Sequence, residues 1–154
     1  MNSLVLTENR IPAMTELAID NVRQLEELVL KVPQTAIPTD HILHAGVYAR
    51  TIMIPAGVVL TGALIKVATV LVVEGDCIVY IGDESKEIHG YNVFAASAGR
   101  KQAFVARTDT YLTMVFATDA TNVDKAEEEF TDEFELLFSR ADGAVNHVTI
   151  TGER

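Results

Sequence analysis

Between residues 45 and 117 the chain offers one short apolar, β-branched run after another, with no helical segment between them. AGVYARTIMI, VVLTGALIK, TVLVVE and CIVYI are parted by Pro55-Ala56-Gly57, Gly75-Asp76 and Gly82-Asp83. Further strand candidates cover 90–95, 101–106 and 111–117, broken by Ser97-Ala98-Gly99 and Arg107-Thr108-Asp109. Parallel neighbours need a crossover of about a dozen residues or more, usually helical. The gaps here are too short, so the strands must pair antiparallel, in a sandwich or barrel.

The flanks change period. Ala18, Val22, Leu25, Val29 and Val32 recur at steps of three and four, with Leu17 and Leu28 widening the stripe. This predicts an amphipathic helix over 15–31, with Thr15 as N-cap and Pro33 as stop. Residues 33–40 read as a loop with two prolines. Val123, Ala126, Phe130, Phe134, Leu137 and Phe138 predict a second helix over 123–140, and Thr121-x-x-Asp124 resembles a capping box. After Asp142-Gly143, VNHVTIT reads as an extra edge strand or a segment pairing with a neighbouring subunit. The parts are a helix and linker (1–40), a β-barrel (41–120) and an acidic helix with an extension (121–154). A chain of 154 residues has no room for two ordinary cores, so they form one compact domain.

Charge excludes several partners. The net charge is −10, from 22 acids and 12 bases. Such a chain is not drawn to phosphate backbones or anionic lipid, so neither nucleic acid nor membrane is an expected partner. No run of 18 apolar residues occurs, and MNSLVLTENR lacks the pattern of a signal peptide. The single Cys77 excludes an intrachain disulfide. Seven acids fall between Asp124 and Glu135. They read as a solvated helix face, or as a docking surface for a basic partner or a cation-binding edge.

The middle of the chain carries an ordered set of signals. Gly46-Val47-Tyr48-Ala49-Arg50 leads into Ile54-Pro55-Ala56-Gly57, then Gly62-Ala63-Leu64-Ile65-Lys66 and Val72-Val73-Glu74-Gly75-Asp76. Ala98-Gly99-Arg100-Lys101 and Thr108-Asp109-Thr110-Tyr111 follow. Over roughly residues 15–140 this resembles the cupin superfamily, and in particular small cupin-like proteins encoded by bacteriophages. The resemblance implies a mainly β fold: a cupin-like antiparallel β-barrel or jelly roll with an N-terminal helix and a C-terminal acidic helix. Asp124 to Phe130 fits that last element.

Cupins normally hold a divalent metal through histidines and a carboxylate. Where relatives read Gly-x-x-His-Lys-x-Glu-His, this chain reads Gly62-Ala63-Leu64-Ile65-Lys66-Val67-Ala68-Thr69. The resemblance thus puts Ile65 and Thr69 at histidine positions, Ala68 at the carboxylate position, and Phe116 at the histidine of the second motif. None is a good ligand for zinc, iron or manganese. The expectation is a lost metal site, no cofactor and no enzymatic chemistry.

Other residues carry weaker signals. His41 and His44 form the closest histidine pair and are candidate metal ligands if helical; past Pro38 they read as exposed histidines of a turn. His89 and His147 are isolated. Tyr48, Arg50, Lys66 and Asp109 are candidates for a pocket or rim, either binding a small anion or forming Arg50–Asp109 and Lys66–Glu74 ion pairs. Arg100 and Lys101, with Arg107, form the one basic patch. They are candidates to contact Glu127, Glu128 and Glu129 of another subunit. Nucleophile elbows and phosphate loops are absent from the sequence.

The expected role is a non-enzymatic phage-type protein, homo-oligomeric, associated with other virion proteins as a structural, decoration or adaptor component. Its expected place is the virion or the host cytoplasm. The alternatives are a cupin metalloenzyme with an atypical site, and a small-ligand module using Lys66, Tyr48 and Thr69. Bulky Leu64, Ile65, Met114 and Phe116 predict a largely filled interior.

Overall fold

A computed structural model describes residues 2–81 and 84–154; the Gly82-Asp83 turn lies outside them. The described residues form two sheets. The larger contains β1 (Arg10–Ile11), β2 (Thr39–His44), β3 (Val47–Ile54), β5 (Thr69–Glu74), β8 (Tyr91–Ala96), β10 (Thr110–Ala117) and β11 (Asn146–Ile150). The smaller contains β4 (Val59–Thr61), β6 (Cys77–Ile81), β7 (Glu84–Ile88) and β9 (Ala103–Ala106). Their orders are β1-β8-β5-β10-β3-β2-β11 and β4-β9-β6-β7.

Every pair of neighbours is antiparallel except the two outermost of the large sheet, β1 with β8 and β2 with β11. The expected barrel is a two-sheet jelly-roll sandwich with distinct edges. One corner is joined. β4 and β9 pair in the small sheet, β5 and β8 pair in the large one, and an isolated Ile65–Arg100 bridge lies between the two pairings. The two connecting segments therefore turn from sheet to sheet as one ribbon.

Alternation builds the core. Tyr48 and Ile54 on β3, Leu71 and Val73 on β5, and Leu112, Met114 and Phe116 on β10 point inward. Phe104 on β9 and Val79 on β6 meet them from the small sheet. The outer face of the large sheet shows the complementary set. One row across β8, β5, β10 and β3 reads Val93, Val72, Thr113 and Thr51. The next reads Ala95, Val70, Val115 and Ala49, continued by Ile42 on β2. Val70, Val93 and Ile42 are 47%, 40% and 45% exposed. An antiparallel sheet facing water usually turns polar residues outward, and this one does not.

β2 occupies what the sequence marked as a loop and turn. Its inward residues include Thr39 and His41, so the polar-apolar alternation that announces a strand is masked. Ala45 (φ 55°) and Gly46 (φ 72°) close its tight hairpin with β3.

Helix α1 spans Glu16–Val29 with the Thr15 hydroxyl accepting from Ala18 N. Its buried residues are Ala18, Ile19 and Val22; Leu17 and Leu28 lie outside the stripe and are exposed. Helix α2 spans only Val123–Phe130, capped by Asn122, and two single 3-10 turns follow at Phe134–Leu136 and Phe138–Arg140. The predicted helix over 123–140 is broken for two reasons. The Thr131 side chain accepts from Glu133 N, a local turn that competes with the helix. The carbonyl of Phe130 accepts from Lys66 N of the barrel instead of continuing the ladder. Among the described residues no helix is long and apolar enough to cross a membrane.

Candidate functional site

Between the sheets lies a cavity of about 140 Å³, so the interior is not filled. Ile52, Leu71, Leu112 and Met114 form one wall, and Leu60 and Phe104 the other. Leu137 and Phe138, just past α2, close part of the mouth. Arg50, Lys101, Gln102, Glu26 and Glu133 bring polar atoms to this lining.

Two ion-paired clusters flank the cavity. In the first, Arg50 Nη1 donates to Glu127 Oε2 at 2.6 Å and Nη2 to Ser139 Oγ at 3.0 Å. Ser139 Oγ in turn donates to Glu127 Oε2. Arg140 Nε donates to Glu127 Oε1 at 2.8 Å. Burial pushes the Glu127 carboxyl up, but hydrogen bonds from Ser139 and Arg140 and the Arg50 charge outweigh it and hold it below the ordinary range. Arg50 also lies 5.4 Å from the Phe130 ring centre.

The same cluster runs on to the C-terminal strand. Asn146 Nδ2 donates to Ser139 O at 2.9 Å, which turns its Oδ1 toward His41 Nε2 at 2.6 Å. Oδ1 only accepts, so Nε2 carries the proton and Nδ1 accepts from the Tyr48 hydroxyl at 2.6 Å. Tyr48 Oη then accepts from Arg50 Nη1 at 3.2 Å. Burial pushes the Tyr48 hydroxyl up to about 12 and pushes His41 below its ordinary value.

In the second cluster Lys101 Nζ, with no exposed surface on its side chain, donates to Glu26 at 3.0 Å and to Glu133 at 3.0 Å. Glu133 Oε1 also accepts from Leu64 N at 2.6 Å. Burial raises the Glu133 carboxyl, while the Leu64 and Lys101 hydrogen bonds and the Lys101 charge bring it below the ordinary range. Arg100 donates to Ser97 O at 2.7 Å and to Thr69 Oγ1 at 2.8 Å, and burial lowers its guanidinium to about 10. Its Nε and Gln102 Nε2 are buried without a partner.

These contacts revise the residue expectations. Arg100 and Lys101 are 2% and 0% exposed, so they are not a surface patch; each is held inside by acceptors from its own chain. Glu127 is 1% exposed and satisfied within the chain, while Glu128 is half-buried and Glu129 exposed, accepting from Thr118 Oγ1. Arg50 pairs with Glu127 rather than Asp109, which instead accepts from Ala56 N at 2.9 Å. Lys66 pairs with Asp132 at 2.6 Å rather than with Glu74. Tyr48 is fully buried in the first cluster and is not at a rim.

His41 and His44 lie on a strand, where a spacing of three sends side chains to opposite faces. His41 is buried; His44 is exposed and bonded to Thr151 Oγ1 at 2.6 Å. They cannot share a metal ion. His147 bonds Asp40 within the chain at 2.8 Å, and His89 lies 3.4 Å from Asp76.

At the positions that the sequence resemblance gives to metal ligands, Ile65 lines the cavity, Ala68 is exposed, and Thr69 Oγ1 serves Arg100. Phe116 packs edge-on to Tyr48 and Phe130. Two aliphatic side chains, an aromatic one and an engaged hydroxyl do not fit a divalent metal. Among the described residues no group of three or more His, Cys, Asp or Glu side chains is placed to hold one.

Glu26, Gln102, Glu133, Ser139, Arg140 and Asn146 were not singled out from the sequence. Glu26 had a signal: it sits four residues after Val22, on the stripe of α1, where a charged residue needs a partner. The others lie outside any motif.

No protein-family model matches the chain, and no curated protein matches it. Similar solved structures include ectoine synthase from P. lautus, 21% identical, covering 64% of this chain and 75% of that one, with a TM-score of 0.46. A cupin superfamily protein from Desulfitobacterium hafniense is 10% identical over 75% of this chain and all (100%) of that one, with a TM-score of 0.46. A cupin-2 domain protein from Shewanella frigidimarina is 8% identical over 60% of this chain and 91% of that one, with a TM-score of 0.43.

Proposed function

We propose that this chain is a non-enzymatic structural protein that acts by assembly, as a decoration or adaptor component of a phage particle. One observation carries the reading. Most titratable groups around the cavity are engaged with one another, Arg50 and Arg140 with Glu127 and Lys101 with Glu26 and Glu133, while Arg100 is held by Ser97 O and Thr69 Oγ1. Their geometry anchors α1 and the segment after α2 to the sheets and, among the described residues, leaves no unpaired carboxylate and no metal donor set facing the cavity. The phage context rests on the order of sequence motifs. In this reading the protein works in the virion or the host cytoplasm, with copies of itself and other virion proteins as partners. Quantitative mass spectrometry of purified particles tests it: a fixed copy number per particle is expected, and absence from particles overturns it.

A second reading is favoured by Gln102. Its Nε2 is a buried donor without an acceptor, at the edge of a cavity whose walls are mostly apolar. A cavity of this size holds a ring of about six heavy atoms. The matching ligand is a small apolar ring with one acceptor oxygen. Cyclohexanone is a suitable probe. A concentration-dependent rise in Tm that Gln102→Leu abolishes supports this reading; an unchanged Tm at millimolar probe overturns it.

A further inference from the structure

We infer that the outer face of the seven-stranded sheet is a self-association surface, and that its occupant is the same face of a second copy. The inference rests on the assembly reading and names its first partner.

The face is apolar where a solvated sheet would alternate to polar. Its two central rows are made of Val, Ala and Thr from β8 to β3, and on β2 they end in Asp40 and Ile42. Glu74 is the one charged side chain turned outward on β8, β5, β10 and β3, and it lies in an end row between Tyr91 and Tyr111. With Asp40 on β2 as the other carboxylate at this face, most of the net charge of −10 sits elsewhere.

The area is of the right order. Five strands at about 4.8 Å spacing, each contributing about six residues of 3.3 Å, give a footprint of about 24 by 20 Å. Standard interfaces cover about 800 Å² of accessible surface per partner, and accessible area exceeds the flat footprint. Small, regular β-branched side chains suit packing against an identical set, as between the sheets of a sandwich at about 10 Å.

The strand order admits a symmetric pairing. β10 is the middle strand of the seven. A two-fold axis along it places β1 of one copy over β11 of the other, and β8 over β2. The interface is isologous, so it closes at two copies.

Analytical ultracentrifugation of the full chain at micromolar concentration tests this. The expected species has twice the 16.8 kDa chain mass. Val115→Lys, at the centre of the face, is expected to halve that mass while leaving the thermal transition cooperative. Thr113→Lys on the same strand gives the same reading should Val115→Lys fail to fold. A monomeric wild type overturns the inference, and so does a Thr113→Lys chain that keeps the wild-type mass. These outcomes are separate from particle association: a dimer absent from particles sinks the phage role alone, and a particle-bound monomer sinks the dimer alone.

Discussion

Arg50 on β3 and Glu127 on α2 meet at 2.6 Å with both side chains buried, although 77 residues separate them. Removing one partner leaves the other charge buried and unpaired, which typically costs about 3–5 kcal/mol. Glu127→Ala is expected in that range, because it strands Arg50 and also removes the acceptor for Arg140 and Ser139. Replacing both partners, as Arg50→Met with Glu127→Leu, is expected to recover much of the loss. Urea denaturation of the two variants checks this. A Glu127→Ala cost below about 1 kcal/mol would show the pair to be dispensable.

His41 sets an acid limit. Burial holds its imidazole below the ordinary 6.5, against the raising effects of Asn146, Glu127 and Asp40. The unfolded chain therefore takes up a proton first. Stability is full above about pH 6.5 and falls as pH drops below it toward the folded pKa. Glu127 and Glu133, held below 4.5, add their losses only below pH 4.5. His41→Gln is expected to flatten the stability profile between pH 6.5 and 5 and to leave the carboxylate-driven fall in place. Unchanged slopes in that window would contradict the assignment.

Gly75 turns the chain between β5 and β6 at φ +137°, and an added Cβ would lie 2.8 Å from Asp109 O and 2.9 Å from Thr110 Cα. Both obstacles are backbone, so neither can swing aside. Gly75→Ala is expected to lower stability by about 2 kcal/mol or more. A thermal melt reads this directly, with Gly57→Ala as comparison. Gly57 shares a positive φ, but nothing lies within 4 Å of its added Cβ.

Gln102 offers the opposite sign. Its buried, unpartnered Nε2 carries a desolvation cost of about 1–3 kcal/mol. Gln102→Leu is expected to stabilise the free protein by about 1 kcal/mol, seen as a higher denaturation midpoint at unchanged m-value. A loss of stability would mean that the amide has an acceptor in solution.

The strands from β3 to β6 and from β8 to β10 were legible because Val, Ile and Leu runs alternate with Gly, Pro and Asp turns. β2 was not, since Thr39 and His41 point inward; His41 is satisfied by Tyr48 and Asn146, while the Thr39 hydroxyl is buried without a partner. β7 reads Glu-Ser-Lys-Glu-Ile, and its polar residues reflect an exposed edge rather than a loop. The acidic segment after 121 reads as a solvated face or a docking surface, yet Glu127 turns inward. A local charge pattern does not reveal that Arg50 and Arg140 arrive from either side of it in sequence. For the same reason Arg100 and Lys101 looked like a patch. Adjacent bases suggest a shared surface, whereas here they follow the Ile65–Arg100 corner into the interior.

Lys101 binds one carboxylate from before the barrel and one from after it, Glu26 and Glu133. Neither contact can form until the strands have placed the lysine, because 75 and 32 residues separate the partners. The two flanking segments thus have a common docking point that exists only in the finished sandwich. Loss of either segment leaves the lysine charge buried against fewer acceptors. Unfolding should therefore not begin by peeling off one flank at low cost, and hydrogen exchange in α1 and after α2 should report the same opening free energy.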